Sequence, residues 1–218
     1  STGLVKTEGT GTMTNSISNT IYNGISEDED VEKNYEDIDL TKSVANGDYF
    51  FESRAEGGLI SNNAGFLANA CSYIELDLTD KKGIYEAVID TTISSRKNND
   101  IGFIYVSYNK NEINTNETYG RKVMVSGLAE EETHKFNLTG GTKYYIHFIY
   151  RKSNSSGSNS DCFIIKNMKL RKYENPGELT ITSGKYECTK AGSNSTNNCS
   201  GVIQNESMLY VNGGKIES

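Results

Sequence analysis

Three features of the sequence predict an all-β protein: a jelly-roll-like antiparallel β-sandwich with rungs of a β-solenoid, a parallel β-helix, at its C-terminal end. From about Leu40 to Tyr173, apolar and polar residues alternate in eight short segments separated by turn sequences such as "DKKG", "TGGTK" and "NSSGSNSD"; this is how an antiparallel sandwich is written. No segment carries an apolar stripe of 3.6-residue period longer than two turns. A ten-residue phrase also occurs twice, as "LTITSGKYEC" at 179–188 and "LYVNGGKIES" at 209–218.

Taken in order, residues 1–39 form a polar and acidic N-terminal segment. Its first part, rich in Thr, Ser, Asn and Gly, shares the strand-turn style of the C-terminal repeat and is expected to be solenoid-like. The acidic run "SEDEDVEKNYEDID" follows. It reads as a solvated loop or short helix, with weak structural calcium binding as the alternative, because the central Gly of an EF-hand loop is missing. Residues 40–174 form the sandwich, with strands expected in "GDYFFES", "CSYIELDLT", "GIYEAVIDTTIS", "IGFIYVSYN", "RKVMVSG", "HKFNLTG", "KYYIHFIYRK" and "CFIIKNMKLRK". Residues 175–218 begin parallel β-helix repeats. Aligned without gaps, the two phrases match Leu179 with Leu209, Ile181 with Val211, Lys185 with Lys215 and Glu187 with Glu217. So small a unit cannot bury its own apolar side, and stacking on its neighbours is the usual solution. Leu179, Ile181, Leu209 and Val211 are then expected in a narrow core, and the stop at Ser218 suggests a piece of something longer.

Alternation assigns faces, because successive side chains of a strand point to opposite sides. In "KYYIHFIYRK" the apolar-bodied set Tyr144, Ile146, Phe148 and Tyr150 faces the core, leaving Tyr145, His147, Ile149 and Arg151 outward. In "GIYEAVIDTTI" the inner set is Tyr85, Ala87, Ile89, Thr91 and Ile93, with Glu86, Val88, Asp90 and Thr92 outward. In "GFIYVSY" Phe103 and Tyr105 fall with the outward set.

Composition narrows the function classes. Hydrophobic residues are only 35% of the 218, lean enough to suit a β-protein with long polar loops. A formal charge of −7 argues against nonspecific attraction to nucleic acid or an anionic membrane, and no apolar stretch is long enough to span a bilayer. With only two His, at 134 and 147, and no C-x-x-C, a metal site is not expected. His134 reads as a surface histidine. Four cysteines allow three pairings; Cys188–Cys199 would staple a loop of polar residues, and Cys71–Cys162 would join the starts of two strands. The alternative is four free thiols in a cytosolic protein.

"SYIELDLTDKKGIYEAVIDTTISS", "DIGFIYVSYN" and "LTGGTKYYIHFIYRKS" resemble a module of large surface proteins of Gram-positive bacteria, in which such phrases precede β-helical arrays. "GVIQNESMLYVNGGKIES" likewise resembles one coil of an adhesin-type parallel β-helix. The resemblance implies an extracellular, cell-surface protein whose partner is a host or microbial glycan or a surface protein. Cys pairs and an acidic N-terminal segment are not part of that pattern. Bacterial surface sandwiches sometimes cross-link Lys to Asn beside a buried acid, but Lys, Asn and Glu are too numerous here for the sequence to single out a trio.

No nucleophile elbow, zincin motif or phosphate-binding loop is present, so the chain is not expected to be an enzyme and no cofactor is expected. Paired carboxylates such as Glu86 and Asp90 leave a polysaccharide-processing fragment as a minor alternative. The main reading is a carbohydrate-binding face: Phe103, Tyr105 and Tyr145 as aromatic platforms, with His147, Arg151, Glu86 and Asp90 as hydrogen-bonding edges. The competing reading is a structural cap or spacer of the solenoid, with these aromatics covered by the N-terminal segment or a neighbouring loop.

Overall fold

The computed structural model of the chain describes residues 14–17, 21–25, 32–117, 123–153, 160–174, 176–181, 185–188, 203–205, 207–213 and 215–217. The chain divides into two compact units. One comprises Ser1–Glu32 with Tyr173–Ser218, and the other is the continuous stretch Lys33–Lys172.

The two-segment unit opens with β1 (Thr14–Ile17) and β2 (Ile21–Asn23). The continuous unit contributes β3 (Glu36–Asp37), β4 (Val44–Ala45), β5 (Phe51–Ser53), β6 (Leu59–Ser61) and β7 (Asn69–Asp77). It continues with β8 (Ile84–Ser94), β9 (Ile101–Ser107), β10 (Val123–Val125), β11 (Leu128–Thr139), β12 (Lys143–Arg151) and β13 (Cys162–Lys172). The chain then returns to the first unit in β14 (Glu178–Ile181), β15 (Lys185–Cys188), β16 (Ile203–Asn205), β17 (Met208–Val211) and β18 (Lys215–Glu217). The described helical structure is a single 3-10 turn at Leu40–Lys42, whose Thr41 amide donates to the Asp39 side chain.

The continuous unit is built from two antiparallel sheets. One runs β10-β9-β12-β7-β4; the other runs β11-β8-β13-β6-β5, with β3 also paired on β13. The main core lies between the inward residues of the two sheets. On β12 these are Tyr144, Ile146, Phe148 and Tyr150, and on β8 they are Tyr85, Ala87, Ile89 and Ile93, with Thr91 equally buried. These are the faces that alternation assigns. Close packing explains Gly102 on the inner face of β9: a Cβ there would stand 2.7 Å from the Phe163 ring. At Gly58, φ is +80° and a Cβ would stand 2.4 Å from the Ile165 carbonyl oxygen, so no side chain fits.

The two-segment unit pairs its strands in parallel. β15 lies between β1 and β18, β14 pairs with β17, and β16 pairs with β2. The registers set Leu179 beside Leu209, Ile181 beside Val211, Lys185 beside Lys215 and Glu187 beside Glu217, the same matches that the repeated phrase makes. The expected apolar core is only partly formed. Leu179 and Ile181 are buried, whereas Leu209 is half-buried and Val211 exposed, because the β17 edge away from β14 carries no described strand.

Two cysteine expectations meet different ends. Cys71 and Cys162 are free, buried thiols rather than a disulfide. Cys71 sits on the outward face of the five-stranded sheet, while Cys162 opens β13 of the other sheet. Cys71 thus points away from the sheet that carries Cys162, and its side chain is not directed for a bridge across the sandwich. Burial pushes the Cys71 thiol up to about 11. The Cys188–Cys199 pairing lies outside the described residues, as does the first part of the acidic run, residues 26–31, for which calcium binding is the alternative reading. Among the described residues no cluster of metal-ligating side chains occurs, and no helix is long and apolar enough to cross a membrane.

Candidate functional site

The outward face of the five-stranded sheet is where alternation places most of the predicted site. The registers bring together Tyr105, His147 and Tyr73, then Phe103, Ile149 and Cys71, then Tyr145 between Ser107 and Glu75. Each row crosses β9, β12 and β7, so rings from three strands meet without any loop to position them. Tyr105 stacks on His147 with centroids 4.8 Å apart and planes 12° off parallel. Tyr73 tilts against His147 on its other side at 5.9 Å and meets Tyr145 edge to face at 5.5 Å.

Most of this face is not open. Phe103 and Tyr105 are fully buried and form a second small core with Cys71, Ile101 and Ile149. The segment after β9 covers them. Tyr105 Oη donates to the Glu112 carbonyl at 3.0 Å and accepts from the Asn114 amide at 2.9 Å. Arg151 places its guanidinium 5.3 Å from the Phe103 ring centroid, donates to the Thr115 carbonyl at 3.1 Å and pairs with Glu117. His147 is buried too, with Nε2 2.9 Å from Ser107 Oγ. Burial pushes its pKa below the ordinary imidazole value, against an opposing pull from Glu112. Phe103, Tyr105, His147 and Arg151 are therefore the foundation of a covering loop, not a platform.

Glu86 and Asp90 are not part of this face. They sit on β8 of the opposite sheet. Glu86 is buried, accepting from Arg171 Nε at 2.9 Å and from Tyr35 Oη at 2.6 Å. Asp90 accepts from Thr133 Oγ1 at 2.6 Å. His134, expected on the surface, is half-buried in β11 with Nε2 3.0 Å from Thr91 Oγ1.

What remains accessible beyond the loop is the end of the face occupied by Tyr73 and Tyr145. Both rings are half-buried, and the covering segment also reaches the β4 edge, where the Lys110 carbonyl accepts from Asn46 Nδ2 at 3.3 Å. Glu75 lies directly across from Tyr145, and Lys143 across from Asp77. Lys143 Nζ bridges both acids, at 2.7 Å from Glu75 and 3.4 Å from Asp77. The exposed Val44 of β4 adds an apolar margin beside Tyr73. Tyr73, Glu75 and Asp77 did not enter the predicted site, although they are the polar alternates of "SYIELD" and could have been read from that pattern.

Among solved structures, this chain is similar to a family 35 carbohydrate-binding module from Clostridium thermocellum, at 12% identity and a TM-score of 0.41, over 64% of this chain and 98% of that one. It is also similar to the K1 cleaved adhesin domain of Lys-gingipain from Porphyromonas gingivalis W83, at 13% identity and TM-score 0.41, over 65% and 99% of the two chains. A family two carbohydrate esterase from Cellvibrio japonicus shares 8% identity at TM-score 0.40, over 84% of this chain and 53% of that one. At these identities and TM-scores, the likenesses carry no functional argument. No protein-family model and no curated protein matches the chain.

Proposed function

We propose that the sandwich is a non-catalytic glycan-binding module of an extracellular, cell-surface protein, holding its ligand across Tyr73 and Tyr145. The observation that carries this reading is the edge-to-face tyrosine pair, half-buried on rigid strands with hydrogen-bonding groups beside it. A sugar ring presents an apolar C–H face to an aromatic ring and polar edges to its surroundings. Tyr73 and Tyr145 supply the rings, while Glu75, Asp77 and Lys143 supply donors and acceptors. Two acids against one base, on a chain of net charge −7, favour a neutral polysaccharide over an anionic one. The test is migration of the chain through native gels cast with soluble neutral polysaccharides. Retardation that is lost in Tyr145→Ala supports the reading; migration unaffected by any polysaccharide counts against it.

A second reading concerns the other unit. Parallel in-register pairing of Leu179 with Leu209 and Lys185 with Lys215, together with the parallel pairs β1–β15 and β2–β16, supports coils of a three-sided β-solenoid. On this reading the sandwich is an insertion in the sequence between β2 and β14 of the solenoid unit. Joint protection of the Thr180 and Tyr210 amides in hydrogen exchange would support the parallel pairing; rapid exchange at both would count against it.

A further inference from the structure

Three charged side chains are buried together at the far end of β12 from Tyr145. Lys152 follows β12 and Asp100 precedes β9. Arg151 pairs with Ile101, so one more step along the antiparallel ladder sets Lys152 opposite Asp100, and alternation turns both inward. Asp161 precedes β13 of the facing sheet, held in the left-handed region at φ 50°. Its Oδ2 contacts Lys152 Nζ and accepts from the Gly65 amide at 3.1 Å, while Oδ1 accepts from Tyr150 Oη at 3.0 Å. The Lys152 and Asp161 side chains are 0% and 6% exposed, and Asp100 is 0% exposed.

An ion pair accounts for Lys152 and Asp161 but not for Asp100. Asp100 Oδ1 accepts from the Ser153 amide at 2.8 Å, whereas Oδ2 is buried without a hydrogen-bond partner among the described residues. A buried carboxylate oxygen without a partner is costly, and Lys152 is the neighbouring donor opposite it on the ladder. Burial pushes the Lys152 ammonium below the usual lysine range, with the charge of Asp100 pulling the other way. An amine that can lose its proton, a carboxyl held by two donors and a proton carrier are the parts that amide formation needs.

We propose that Lys152 and Asp161 become joined by an intramolecular amide bond, with Asp100 carrying the protons. Lys152 gives a proton to Asp100, which passes it to the Asp161 carboxyl. The neutral Nζ attacks Cγ of Asp161, and Oδ1, held by the Tyr150 hydroxyl, takes the charge of the tetrahedral intermediate. A second proton moves from Nζ through Asp100 to the Oδ2 side, the Cγ–Oδ2 bond breaks, and Oδ2 leaves as water. Two N–H bonds and one C–O bond break, one C–N bond and two O–H bonds form, and nothing is oxidised or reduced. The bond ties β12 of one sheet to β13 of the other across the loop between them. Such a cross-link suits a sandwich that works under load at a cell surface.

Intact-mass spectrometry of the purified chain decides this. The expected mass is one water below that calculated from the sequence, with the tryptic peptide holding Lys152 recovered joined to the one holding Asp161. Asp100→Asn, checked by circular dichroism to be folded, should show the full calculated mass. A wild-type chain at full mass, with Lys152 cleaved normally by trypsin, overturns the proposal. A folded Asp100→Asn chain that is still one water short overturns the role given to Asp100.

Discussion

Replacing Tyr105 with Phe removes one oxygen and leaves the ring that stacks on His147 at 4.8 Å. That oxygen makes two hydrogen bonds to the segment after β9, one to the Glu112 carbonyl and one from the Asn114 amide. Each is worth about 0.5–1.5 kcal/mol net, so the substitution should destabilise the fold by about 1–3 kcal/mol, the upper end applying if the freed amide stays buried. The loss is expected first as local opening, because the covering segment is held by few bonds while the sheet beneath keeps its ladders. Hydrogen exchange read at the Asn114 amide should accelerate by one to two orders of magnitude, a factor of about ten for each 1.4 kcal/mol. Urea unfolding should show a lower midpoint at unchanged slope. Glycan binding at Tyr73 and Tyr145 should persist. Unchanged exchange at Asn114 together with lost glycan binding would refute the reasoning and restore Tyr105 as a platform.

Three further outcomes follow from the packing and the charges. Gly102→Ala drives a Cβ into the Phe163 ring, with its nearest ring atom at 2.7 Å, and should cost about 1–3 kcal/mol as a lower melting temperature; a neutral result would mean that the sheets separate freely there. Glu86→Ala removes the carboxylate that faces the buried Arg171 guanidinium and should cost about 3–5 kcal/mol in urea titration, whereas Asp90→Ala, on the same strand but half-exposed, should cost far less. Burial holds His134 and His147 below the ordinary imidazole value of 6.5, so below that value the unfolded chain binds protons that the folded chain refuses. Stability contributed by the neutral imidazoles is therefore present above 6.5 and lost as pH falls through the lower folded values; His147→Asn should flatten the dependence of melting temperature on pH in that window.

Much of the fold was legible because it depends on local alternation. The inner sets of β8 and β12 follow from period two alone, and the pairing of Leu179 with Leu209 follows from a repeat that becomes a parallel register. The site was less legible, for two physical reasons. Strand order is not sequence order: β8 lies between β7 and β9 in the chain but joins the opposite sheet, which removes Glu86 and Asp90 from the aromatic face. Outward is also not the same as exposed. Nothing in "NKNEINTNET" says where that polar segment lies, yet its backbone caps Tyr105 and receives Arg151. Tyr73 is half-buried rather than sealed, although the same segment reaches the opposite edge of the sheet, where the Lys110 carbonyl accepts from Asn46 Nδ2 at 3.3 Å.

The most direct test of the central claim is a glycan array probed with the wild-type chain and with the Tyr73→Ala/Tyr145→Ala double variant. Two aromatic platforms contribute on the order of 0.5–1.5 kcal/mol each beyond their buried area, so removing both should weaken binding at least about tenfold, with the cooperative unfolding transition retained. The account predicts wild-type binding to neutral polysaccharides and loss of that binding in the double variant. A wild-type chain that binds no glycan, or a double variant that binds as tightly as wild type, would contradict it.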